Sequence, residues 1–170
     1  MASTAGVTPS LVQYYFPTLD DIFLSAIRRH SDRNVQLLTK TLESKPDAPL
    51  RALWQVSRTE ASGALMTEFM ALGNHRKSIQ AEIAAVTEQG RKLQVDALIA
   101  KFGKNTRPGG HFSLPALQLL ISVLPKFLNL EEGIGVKTAH KEVTTAFEKY
   151  LDSIEPAPTR KRKPVERRSR

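Results

Sequence analysis

The chain has 170 residues, room for one ordinary domain and little for a second. Its composition, 41% apolar and 25% charged, is globular and excludes wholesale disorder. With no cysteine it has no disulfide framework, no cysteine–zinc site and no cysteine nucleophile. Met1 to Pro9 carries neither a basic cluster nor an apolar run, and no stretch of 18 residues is wholly apolar. The expectation is a cytoplasmic protein without a secretory signal or a membrane partner.

The net charge of +8 is unevenly placed. Arg160 to Arg170 holds seven basic residues and one acid, which is +6 and leaves the rest of the chain at +2. The body is nearly neutral. The segment 156–170 reads as a disordered basic tail, most simply a solvated end and otherwise a nonspecific phosphate-binding arm.

Apolar spacing is helical almost throughout, so an all-α fold is expected. Thr8-Pro9 starts a two-turn helix to Tyr15, with threonine in the capping position and proline at the first helical position. Pro17 stops it. Thr18-Leu-Asp-Asp21 starts a second helix with a capping-box pattern, predicted to Glu43. Its stripe of Ile22, Phe23, Ala26 and Ile27 resumes only at Leu37, Leu38 and Leu42. Such a wet middle predicts a helix that leaves one packing partner and meets another.

A third helix is predicted from Ala48 to Leu72 and a fourth from Asn74 to Phe102, with Gly103 as its C-terminal cap. Lys104 to His111 reads as an exposed loop whose Gly109-Gly110 pair is too little for a phosphate cradle. A fifth helix, Ser113 to Leu130, is apolar on more than one face and contains Pro125. A sixth is predicted from Val136 to Ile154. An all-round apolar helix must be covered all round. A twofold dimer packing Leu117, Leu120, Ile121, Leu124, Phe127, Val143, Phe147 and Tyr150 into a four-helix bundle does this economically. A central helix in a monomeric bundle is the other solution.

No nucleotide-binding, hydrolase or metalloprotease motif occurs. His30, His75, His111 and His140 lack metal-ligand spacing. Neither an enzyme nor a metal or other cofactor is therefore expected.

Residues Ala5 to Ile22, A-G-V-T-P-S-L-V-Q-Y-Y-F-P-T-L-D-D-I, resemble part of the DNA-binding region of the tetracycline-repressor (TetR) family of transcription regulators. Gly6-Val7 matches the turn, Thr8 to Tyr15 the recognition helix, Phe16-Pro17-Thr18 the break and Asp20-Asp21-Ile22 the start of the linking helix. The resemblance implies a partial helix-turn-helix over 1–17 and a ligand-binding and dimerisation domain over 18–155. It implies DNA contacts from Thr8, Pro9, Ser10, Leu11, Gln13, Tyr14 and Tyr15. Gln13 can pair with adenine and the tyrosines can donate to phosphates. Val7, Val12, Phe16 and Ile22 would be core. It also implies a small apolar effector in a cavity lined by Trp54, Met66, Phe69, Met70 and Phe112, with His75 as a polar contact.

Two departures qualify the resemblance. Leu19 stands where the family commonly has lysine. Only Met1 to Ala5 precedes the turn, where the family has two helices, so this chain is expected to bind specific DNA weakly or not at all. The function implied is a homodimeric, ligand-responsive regulator, a repressor by expectation, released from operator DNA by its effector. The alternative is a dimeric ligand-binding or interaction module that does not read DNA.

Overall fold

The computed structural model describes residues 6, 8–59 and 62–156. It is all-α, with seven α-helices and no strand among the described residues. In order these are α1 (Pro9–Tyr15), α2 (Leu19–Ser44), α3 (Pro49–Thr59), α4 (Ser62–Gly73), α5 (Lys77–Phe102), α6 (Leu114–Gly133) and α7 (His140–Ile154). A short 3-10 turn, Pro108–Gly110, lies between α5 and α6. Met1 to Ala5, Val7, Ala61 and the tail from Arg160 to Arg170 lie outside the described residues.

α2 starts as its sequence dictates. The Thr18 hydroxyl accepts from the Asp21 N–H at 3.2 Å, and the Thr18 N–H donates to the Asp21 carboxylate at 2.9 Å. Its 26 residues span about 39 Å. α1 begins with proline at its first position, but Thr8 does not cap it. The Thr8 hydroxyl instead lies 3.2 Å from that of Ser10.

Two apolar clusters hold the bundle. The smaller contains Ile27, Phe69, Ile79 and Ile83, from α2, α4 and α5. The larger contains Leu38, Leu50, Leu53, Trp54, Leu98, Leu114, Leu117, Ile121 and Leu151, from α2, α3, α5, α6 and α7. α2 therefore leaves one cluster after Ile27 and joins the other at Leu38. Its polar interval is the crossing between two cores.

The helix expected over 48–72 is described as two elements that serve different clusters. α3 serves the larger cluster through Leu53 and Trp54, whereas α4 serves the smaller through Phe69. The boundary between the two elements, residues 60–61, lies outside the described residues.

Two further boundaries differ from expectation. α7 begins at His140 rather than Val136, because Gly135 and Ala139 both adopt left-handed backbone, with φ of 89° and 64°. The loop before α6 is not wholly exposed. Pro108 is buried, and the Tyr150 hydroxyl donates to its carbonyl at 3.0 Å. A Cβ on Gly109 would lie 2.9 Å from the Tyr150 ring, so glycine is required there.

The C-terminal end of α7 is tied to the start of α3. The two oxygens of buried Glu155 accept from the Leu50 and Arg51 N–H groups at 2.9 and 3.0 Å. A helix start leaves such N–H groups without partners, and a distant carboxylate supplies them here. Burial pushes the Glu155 carboxyl above its ordinary value, against the opposing pull of these two bonds and of the Arg51 charge.

Candidate ligand-binding site

A cavity of about 360 Å³ separates the two clusters. Five helices, α2 to α6, line it. The volume lies in the range of small-molecule sites. α2 contributes Ser31, Asn34 and Val35 from its polar interval, along with Leu38. The wet middle of that helix is the wall of a cavity.

α6 provides two adjacent ridges. Gln118, Ser122 and Lys126 recur every four residues and form a polar ridge. Leu119, Val123, Phe127 and Leu130 form an apolar one. Gln118 is only 2% exposed, and its amide donates to Gln94 Oε1 and Ser122 Oγ, each at 2.8 Å. The Ser122 hydroxyl also donates to Gln94 Oε1, at 2.9 Å. This closed network satisfies a buried amide that would otherwise cost stability.

α5 faces α6 with Val86, Thr87, Gly90, Arg91 and Gln94. Gly90 sits in the helix interior, where glycine is unfavourable, and a Cβ there would meet nothing within 4 Å. Its missing side chain leaves cavity space. Arg91 and Lys126 line the site, which has no acidic residue among its lining side chains.

Of the ligand contacts expected from sequence, Met66 and Met70 line this cavity. Trp54, Phe69, Phe112 and His75 do not. Trp54 belongs to the larger cluster, with its ring 4.9 Å from that of Phe147 and its N–H donating to Glu148 at 3.2 Å. Phe69 is core in the smaller cluster. Phe112 stands edge-on to Tyr150 at 6.0 Å, and His75 is exposed in the α4–α5 turn.

The residues expected at DNA are on or beside α1. Ser10, Leu11, Gln13, Tyr14 and Tyr15 are exposed, Tyr14 to 78%. Thr8 is exposed just ahead of the helix, and Pro9 is its first residue. Val12, Phe16 and Ile22 are half-buried, and none belongs to either cluster.

The expected dimer residues divide. Leu117 and Ile121 are fully buried in the core of the chain, and Phe147 and Tyr150 pack on Trp54 and the Pro108 turn. Leu124 is half-buried against the larger cluster. Leu120, Phe127 and Val143 are exposed, Phe127 along the rim of the cavity. Leu117 and Ile121 face inward because α6 packs on α3, and Phe147 and Tyr150 because α7 docks on α3 and the Pro108 turn.

The histidines are scattered. His30 Nε2 lies 3.0 Å from Asn34 Nδ2, and buried His140 has Nε2 2.8 Å from Glu131 Oε2. No group of metal-binding side chains occurs among the described residues. No helix among them is long and apolar enough to cross a membrane.

Ion pairs brace the start of α2. Arg28 makes a paired contact with Glu82, at 2.8 and 2.7 Å, linking α2 to α5. Hydrogen bonding to Arg28 holds the Glu82 carboxyl below its ordinary value. Asp20 accepts from Ser78 at 2.9 Å and pairs with Arg76; chiefly the Ser78 bond, then Arg76, lowers its pKa.

The chain matches no known protein family, no characterised protein and no solved structure.

Proposed function

We propose that this chain is the ligand-binding, dimer-forming part of a TetR-type transcription regulator, in which a small molecule in the cavity governs the position of the N-terminal helix. The observation that carries the reading is α2. One continuous helix begins three residues after α1 and passes along the cavity wall at Ser31, Asn34 and Val35. A ligand there touches the lever that carries α1. Two copies joined through Leu120, Phe127 and Val143 would set the separation of their α1 helices. A small tilt of α2 would then change that separation, and with it the fit to two half-sites.

A second reading, a ligand-binding or interaction module that does not read DNA, is favoured by one feature. Among the described side chains of α1 none belongs to either apolar cluster, and Val12 is only half-buried.

Repeated enrichment of random duplex DNA by the 170-residue chain at high protein concentration separates the two, because it reads selectivity even where affinity is low. The regulator reading expects a recurring paired site. Recovery of unrelated sequences, with binding that merely follows salt, supports the module.

A further inference from the structure

We propose that the cavity binds an amphipathic carboxylate, with its anionic head held between Arg91 and Lys126 and its apolar chain directed among Met66, Met70 and Leu119. This deepens the ligand-binding reading and rests on it, but not on DNA recognition.

Register places the two cations together. Leu98, near the end of α5, shares a cluster with Leu114 at the start of α6, while Gln94, earlier in α5, bonds Gln118, later in α6, so the two helices run antiparallel. Gln94 on α5 meets Ser122 on α6. One turn back along α5 is Arg91, and one turn on along α6 is Lys126. Both therefore stand at the same level on facing helices, and both line the cavity.

Their charge is not matched within the site. The cavity lining includes two cations and no carboxylate. Arg91 has one ion-pair partner among the described residues, Glu88, at 3.5 Å. Glu88 is 74% exposed and lies outside the cavity, so this contact competes weakly with a ligand. Lys126 is half-buried and has no ion-pair partner among the described residues. Gln118 is buried at the floor, while the Arg91 side chain, Leu119 and Met70 are comparably exposed along the rim, so head and chain would both lie along an open groove.

A guanidinium beside an ammonium suits a carboxylate, which can accept from both. The methionines and leucine supply adaptable apolar walls for the attached chain. A neutral molecule would leave the two cations uncompensated, and a cation would be repelled.

Calorimetric titration of the full chain with dodecanoate, dodecanol and dodecyltrimethylammonium, each below its aggregation limit, tests this. Dodecanoate is expected to bind saturably, one per chain, with the other two about tenfold weaker or worse. Lys126→Met and Arg91→Met should each weaken dodecanoate about tenfold, while Lys126→Arg retains it. Gly90→Leu, which fills open space on a helix, should abolish binding with no loss of helicity by circular dichroism. Equal binding of all three probes, no saturable binding of dodecanoate, or indifference to loss of both cations would overturn the proposal. Selective dodecanoate binding by a chain that enriches no DNA site would sink the regulator reading alone.

Discussion

The two apolar clusters on either side of the cavity are closed by different means. The cluster around Ile27 and Ile79 is braced from outside by partly exposed ion pairs, Arg28 with Glu82 and Asp20 with Arg76. The cluster around Leu98 and Leu117 is locked by a buried carboxylate, Glu155, on the first N–H groups of α3. Exposed ion pairs contribute little and re-form easily after a shift. Buried hydrogen bonds do not yield without leaving a donor unpaired. The buried bonds join α7 to α3, whereas α2 is held to α5 by the packing of Ile27 and by ion pairs at the surface.

The contrast can be broken most forcefully in the larger cluster. Leu117→Ala removes a fully buried side chain and should cost about 2–5 kcal/mol in urea unfolding. A loss below about 1 kcal/mol would deny that this cluster anchors the fold. Glu155→Ala should cost about 2–3 kcal/mol by leaving the Leu50 and Arg51 N–H groups without their carboxylate. An unchanged midpoint would show that water replaces it.

Gly90→Ala runs the other way. It should raise stability by about 0.5–1 kcal/mol, since the helix gains propensity and the new Cβ meets nothing. A loss of stability would mean that the position is filled.

The smallest expected effect is Glu82→Gln, at or below about 1 kcal/mol near neutral pH. Its sign with pH is the sharper test. The folded pKa of Glu82 lies below the ordinary 4.5, so its contribution is complete above that value and fades as pH falls through the folded value. The wild-type advantage over Glu82→Gln should therefore shrink below pH 4.5. Glu155 behaves oppositely. Its folded pKa is raised, so ionisation weakens the fold as pH climbs from 4.5 to the folded value. Unfolding series across pH distinguish the two carboxylates, and parallel behaviour would erase the contrast between the two ends.

Much of this arrangement was legible in the sequence. Thr18 and Asp21 announce the start of α2, and the polar stretch between Ile27 and Leu37 announces a change of partner. What fills the gap was not legible, because a polar helix interval reads alike whether it faces solvent or a cavity. Large apolar residues were poor guides to the site, since Trp54 and Phe69 satisfy the core first. The informative signal was the recurrence of Gln118, Ser122 and Lys126 at four-residue steps in an otherwise apolar helix. Glu155 gave no such signal, because its partners are more than a hundred positions away in the chain.

In the proposed regulator two copies pair, and a ligand in the cavity tilts the leading half of α2. The chain has no cysteine, so Ser25→Cys on the exposed side of α2 accepts a single spin label per subunit. Dipolar distance measurement at micromolar protein should give one well-defined separation between the two labels, and saturating dodecanoate should shift it. Absence of any coupling, or a separation indifferent to bound dodecanoate, would contradict the account.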